Sequence, residues 1–345
     1  MLQLSRNGAA THDTPPDVDG REEQRLRRRS ELERVFGGAI GEALSDPAVT
    51  EVMVNPDGAV YVDRLFLGIT PDPVTRLNPR DVLNAIITVA GELGKVVDVD
   101  NPTLQGELPL DGSRLQAWIP PAVRQPTLVI RKHRRQGVDG VPALCIGDYL
   151  TANTIAPNYV EHLREAVVRR RNVIIVGGTG SGKTTFGGAY LNLVSELCPR
   201  DRIVTIEDTY ELYCQSRNWV ALRSSDSVSM RTLLKQTLRA RPDRIIFGEV
   251  RDEAAHDLMM AWNTGHSGGL CTIHANGVFD AFDRIEALVE IALSRAAPSK
   301  TIAKAVHLIV GLVREPDGPH RVTDLAYVHG WKEGEYQLES VQPQW

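Results

Sequence analysis

The residue types best suited to chemistry are gathered in Gly177-Gly178-Thr179-Gly180-Ser181-Gly182-Lys183-Thr184, with Thr185 beside them, directly after the apolar run Asn172-Val173-Ile174-Ile175-Val176. The spacing is GxxxxGK[ST], and each of its parts has a separate job. Glycines let successive backbone N–H groups curl around phosphate oxygens, and the following helix turns its positive end toward them. A lysine at this position reaches the β and γ phosphates, and a threonine hydroxyl binds Mg2+. A strand before the loop and a helix after it separate a nucleotide site from a chance glycine-rich turn. The implied ligands are ATP and Mg2+; GTP is disfavoured because no NKxD-like base-reading motif follows.

Hydrolysis also needs a carboxylate beside the γ phosphate, and two strand ends supply acids. Ile203-Val204-Thr205-Ile206 runs into Glu207-Asp208, and Arg244-Ile245-Ile246-Phe247-Gly248 runs into Glu249. Both sets fall at the carboxyl edge, where α/β sheets bind ligands. Asp252, by contrast, reads as the start of the next helix. His266 and His274 bracket a short strand; a histidine at the carboxyl edge is placed to sense a γ phosphate, whereas metal binding by the two lacks a matching acid or thiol cluster.

The elements that must hold these residues follow from periodicity. In the second half, strands at 173–176, 203–206, 245–247 and 270–273 alternate with helices from Gly182, near 229–239 and near 253–262, which predicts a mainly parallel sheet covered by helices. Leu308–Val313 and Arg321–Val328 flank Pro316-Asp317-Gly318 and predict an antiparallel extension. The first half predicts a helix over 31–44, a hairpin through Asn55-Pro56-Asp57-Gly58, a helix over 79–93 and strands near 107–110, 114–119 and 128–131. With 345 residues, two domains are expected. Residues 1–28 are a polar tail, 29–135 a smaller mixed α/β amino-terminal domain, 136–147 a Gly/Pro linker and 148–345 the P-loop domain.

In order, the motifs resemble those of the secretion-superfamily ATPases, in particular the traffic ATPases of the type IV secretion and conjugal-transfer branch. The resemblance rests on the P-loop, an Asp box in Ile206-Glu207-Asp208-Thr209-Tyr210-Glu211-Leu212, an atypical Walker B in Arg241-Pro242-Asp243-Arg244-Ile245-Ile246-Phe247-Gly248-Glu249-Val250-Arg251 and a His box from Thr264 to His274. Gly112-Ser113-Arg114-Leu115-Gln116 and Asp46-Pro47 look like that branch's amino-terminal domain. The resemblance implies a RecA-like motor fold. It makes Glu249 the water-activating acid, Glu207 and Asp208 helpers around Mg2+ (with Thr184, Asp208 and Glu249 as metal contacts), His274 a γ-phosphate contact, and Arg114 and Arg131 arginines that reach the triphosphate from the amino-terminal domain. In the ordinary Walker B an Asp stands where this chain has Gly248.

The resemblance also implies a homohexameric motor for type IV secretion or conjugal transfer, working with membrane-complex proteins. A net charge of -5 without an aromatic-interleaved basic stripe argues against direct DNA binding by a RecA-like motor. A type II secretion or pilus motor shares the four boxes but commonly carries a tetracysteine zinc insert, and Cys145, Cys198, Cys214 and Cys271 contain no CxxC pair. These cysteines read as reduced, structural thiols. A nucleotide-gated scaffold without turnover is opposed by Glu249 beside an intact P-loop. With no secretory signal and no spanning apolar run the chain is expected in the cytoplasm, peripheral at the inner membrane; Arg25, Arg27, Arg28 and Arg29 are the candidate lipid contact, although such a run interleaved with Glu22, Glu23 and Glu31 is more often a solvated helix face.

Overall fold

Val173-Ile174-Ile175-Val176 has no polar position, and all four side chains are fully buried. Such a strand is stable only in mid-sheet with helices on both faces. The computed structural model describes residues 38, 40–46, 48–64, 68–108, 112–132, 143–225, 227–315 and 319–345, in two compact units that divide between His133 and Arg134. The tail over 1–28, its arginine run, most of the linker over 136–147, Pro47 and the turn Pro316-Asp317-Gly318 lie outside the described residues.

The second unit is an eight-stranded sheet. Its strands are β7 (Val173–Gly177), β8 (Ile203–Glu207), β9 (Trp219–Arg223), β10 (Arg244–Phe247), β11 (Leu270–His274), β12 (Leu308–Arg314), β13 (His320–Lys332) and β14 (Glu335–Ser340), in the order β14-β13-β12-β7-β11-β10-β8-β9. From β12 to β9 every pairing is parallel; β13 and β14 add on antiparallel. The antiparallel extension expected from residue 308 onward therefore begins one strand later. A helix, Ser299–Ala305, precedes β12 and lets it enter parallel to β7. Ile174 and Val176 face one core, Val173 and Ile175 the other.

The first unit carries β1 (Val49–Val54), β2 (Ala59–Arg64), β3 (Gly68–Arg76), β4 (Thr103–Glu107), β5 (Arg114–Trp118) and β6 (Thr127–Arg131) in the order β3-β2-β1-β6-β5-β4, all antiparallel. Helix α1 (Pro79–Glu92) buries Val82, Ala85, Ile86, Val89 and Ala90, a single stripe at helical spacing. Its start is fixed by Asn78, whose side chain accepts the Arg80 N–H at 2.9 Å, and by proline in the first turn. The strand expected near 107–110 lies earlier, at 103–107, and the hairpin closes with Glu107 opposite Arg114. β3 was not expected; it holds Pro71 and Pro73, which an edge strand tolerates.

At the amino edge of the large sheet a buried ion pair ties three connections together. Arg244, fully buried, donates to Asp201 at 2.7 Å, to the carbonyls of Val167 and Gly268 at 2.9 and 3.2 Å, and to Cys198 Sγ. Removing one partner of such a pair strands the other charge in the interior. Asp201→Asn should therefore cost ~3–5 kcal/mol in urea unfolding; a loss below about 0.5 kcal/mol, the level of an ordinary surface change, would show that the pair is not structural.

Candidate active site

β7 delivers the glycine-rich loop at the carboxyl edge of the sheet, and α2 (Lys183–Leu197) starts from it. Gly182 caps this helix at φ 85°, and a Cβ there would stand 2.8 Å from His320 Nδ1, so both backbone and space demand glycine. Lys183 is 6% exposed. Its Nζ donates to the carbonyls of Gly177 and Gly178 at 2.9 and 2.8 Å and lies 3.2 Å from His274 Nδ1. Ser181 Oγ is buried without a partner among the described residues. A buried ammonium, an unsatisfied hydroxyl and a helix N-terminus form a cradle for phosphate oxygens.

From Lys183 a line of polar contacts crosses four neighbouring strand ends. Lysine has only donors, so His274 Nδ1 must accept, which leaves the proton on Nε2, 3.0 Å from Glu249 Oε1. Burial, and then the Lys183 charge, lower the His274 pKa and keep the ring in this neutral form. Glu249 Oε2 accepts from Arg251 Nη2 at 2.5 Å, and Arg251 Nη1 reaches Asp208 Oδ2 at 3.0 Å. Burial would raise Glu249, but the hydrogen bond and charge of Arg251, with His274 and Lys183, outweigh it and hold the carboxyl below its usual range. The order P-loop, β11, β10, β8 is the order of the strands themselves.

Glu207 stands apart from this line although it precedes Asp208. It is 1% exposed, and its Oε1 accepts the N–H groups of Glu211 and Leu212 at 3.0 and 2.9 Å, folding the Asp box back on the strand end. Its Oε2 is buried without a partner among the described residues. Burial, only partly offset by the two N–H groups, raises its pKa to about 8. Gly248 is the neighbour that makes room, since a Cβ there would meet Glu207 Cγ at 2.8 Å. The glycine in place of the ordinary Walker B Asp thus has a local steric cause.

The two histidines of the His box are separated by the length of β11. His274 ends that strand and joins the line of contacts, whereas His266 lies before its start, in a loop held by Asn172, whose Oδ1 accepts the N–H groups of Gly268 and Gly269 at 2.8 and 3.0 Å. Asp252 accepts the Ala254 N–H at 2.9 Å, as a residue at a helix start does. All four cysteines are free, and among the described residues no three His, Cys, Asp or Glu side chains gather to hold a metal.

Arg114 and Arg131 belong to the first unit, where they are direct cross-strand partners on β5 and β6. Glu107 faces Arg114 from β4 and Glu51 faces Arg131 from β1, giving an acid-base-base-acid row across the sheet. Like charges directly opposite each other are unfavourable. The flanking acids offset part of that repulsion, and an anion laid over the arginine pair would relieve the rest.

A parallel sheet with a phosphate cradle at its carboxyl edge, and acids on the neighbouring strand ends, defines a RecA-like P-loop motor domain, here with a smaller amino-terminal domain. The family described as Type II/IV secretion system protein matches residues 86–332, and the chain belongs to it. A probable conjugal transfer protein TrbB of Sinorhizobium fredii is 39% identical over 92% of this chain and 96% of its own length. The type IV secretion system protein VirB11 of Bartonella quintana is 29% identical over 84% of this chain and 90% of its own. Among solved structures, the Legionella pneumophila ATPase DotB shares the fold with a TM-score of 0.56 at 17% identity, over 94% of this chain and 84% of that one.

Three residues of the site had no role in the sequence reading. Arg251 sits inside the Walker B segment, and only the fold shows it between two acids. Asn172 and His320 act through loop and strand contacts without a motif. The raised pKa of Glu207 makes a testable stability signature. Between about 4.5, the ordinary value, and about 8 the folded chain keeps a proton that the unfolded chain gives up. The contribution of this carboxyl to stability is therefore full at low pH and lost as pH rises through about 8. Glu207→Gln should flatten the fall in urea midpoint between pH 5 and pH 8.5, a change on the order of a few kcal/mol. An identical slope in variant and parent would rule out a proton held on Glu207.

Proposed function

We propose that the chain is an ATP-hydrolysing motor of a type IV secretion or conjugal-transfer apparatus, active as a homohexameric ring alongside membrane-complex proteins. The observation that carries the reading is the run of close polar contacts from the P-loop lysine past His274 to Glu249, because it sets a carboxylate beside the phosphate cradle. The relatives, a conjugal transfer protein and a type IV secretion system protein, point to the apparatus. No helix among the described residues is long and apolar enough to cross a membrane, which suits a motor seated peripherally at the inner membrane. Cargo is moved through partner proteins rather than by direct DNA binding.

In this reading the backbone of Gly177, Gly178, Thr179, Gly180, Ser181 and Gly182, with Thr185 at the helix start, wraps the phosphates. Lys183 turns from the carbonyls of Gly177 and Gly178 to the β and γ oxygens, and His274 reports that movement to Glu249. Glu249 accepts the proton of the attacking water; Glu207, buried and bonded to the backbone, shapes the loop instead. Thr184, Asp208 and Glu249 offer a hydroxyl and carboxylate oxygens, a donor set that suits Mg2+, which keeps waters and takes one or two carboxylates plus phosphate oxygens. Bound there, Mg2+ neutralises charge on the phosphates. Arg114 and Arg131 offer planar, permanently charged forks for the γ phosphate.

Three variants test the reading. Lys183→Ala should abolish tight ATP binding or turnover, and Glu249→Gln should keep binding while lowering kcat by about 10²-fold or more. Arg114→Ala should lower turnover more than binding. Mixing Arg114→Ala with Lys183→Ala chains should restore activity if the arginine acts on a neighbouring subunit's nucleotide. A folded Lys183→Ala protein with parental hydrolysis would reject the site.

A further inference from the structure

Asp208 and Glu249, the two acids assigned to Mg2+ above, stand at the ends of adjacent strands, and a single guanidinium already bridges them. Arg251 gives one nitrogen to each, at 3.0 Å to Asp208 Oδ2 and 2.5 Å to Glu249 Oε2. The second Glu249 oxygen lies 3.0 Å from His274 Nε2. A divalent ion and a guanidinium that use the same oxygens exclude each other, because each needs the lone pairs and the negative charge that the other consumes.

The surroundings allow the arginine to leave without unfolding anything. Immediately before it the backbone is pinned to β11: Val250 N–H donates to the Thr272 carbonyl at 3.0 Å, and the Thr272 hydroxyl donates to the Gly248 carbonyl at 2.6 Å. Just after it, Asp252 fixes the start of the next helix. The Arg251 side chain between these anchors is 51% exposed, whereas Glu249 is 18% exposed. A long side chain on a fixed backbone can swing into solvent while the shorter carboxylates stay in place.

We infer that Arg251 is a positioning residue that serves as an internal stand-in for the divalent cation, clasping Asp208 and Glu249 together until Mg2+ arrives with the nucleotide and displaces it. The inference rests on the functional reading above, and it adds a gate. Free divalent metal is refused by the resting site, and both carboxylates are kept close together without it. Arg251→Lys keeps the charge but offers a single point donor, so it can hold one carboxylate and not clasp the pair.

The test uses the full chain and Mn2+ alone, its binding read by electron paramagnetic resonance without nucleotide. Arg251→Gln should bind Mn2+ at least about tenfold more tightly than the parent, the change expected when a competing charge-assisted hydrogen bond is lost. Arg251→Lys should fall between them, and Asp208→Asn added to Arg251→Gln should remove the gain. With ATP saturating, the Mg2+ concentration for half-maximal turnover should drop in Arg251→Gln, with KM for ATP at saturating Mg2+ unchanged. Equal Mn2+ binding by parent and Arg251→Gln, each with native circular dichroism, overturns the inference. So does a gain that survives Asp208→Asn. ATP hydrolysis by the parent is scored separately: its absence would reject the functional reading, whereas its presence with equal Mn2+ binding would reject the gate alone.

Discussion

A buried ammonium is the constraint around which this end of the sheet is organised. Lys183 is almost enclosed, and it is held by two carbonyl oxygens of its own loop and by a neutral imidazole. An ionised amine in such a place needs hydrogen-bond acceptors at once and gains from any anion that replaces them. The same need fixes the tautomer of His274, whose Nε2 proton then stands 3.0 Å from Glu249 Oε1. One positive charge thereby sets the arrangement of three strand ends.

The two edges of the large sheet do different work. At the carboxyl edge the backbone is shaped for approach: Gly182 and Gly248 leave room for His320 and Glu207, where any side chain would collide. The amino edge is shaped for permanence, with Arg244 and Asp201 buried together and Asn172 pinning the loop before β11 and the connection that enters β12. A rigid amino edge lets the mobile charges opposite be few and defined. The first unit is built on a separate principle, one face packed on α1 and the other carrying the paired arginines.

Much of this was legible in the sequence, for physical reasons that differ by element. Strands buried on both faces read clearly because they have no polar position, and the P-loop read clearly because its glycines and lysine have no cheaper use at that spacing. Edge strands did not. β3 carries prolines, while β9 and β14 are only half-buried or exposed, so their apolar signal is weak. The acids were found as a group but not separated: Glu207 and Asp208 are adjacent in sequence, and only burial reveals that one holds backbone N–H groups and the other faces Arg251. The distance between His266 and His274 was likewise hidden until β11 was seen to lie between them.

The most direct measurement is the position of Lys183 Nζ in a crystal structure of the full chain with Mg2+ and a non-hydrolysable ATP analogue. If the lysine charge is held in reserve for phosphate, Nζ will have left the carbonyl oxygens of Gly177 and Gly178, now 2.9 and 2.8 Å away, for oxygens of the β and γ phosphates. Nζ still bonded to both carbonyls with the triphosphate bound would contradict that reading, as would a triphosphate seated away from the loop of residues 177–184.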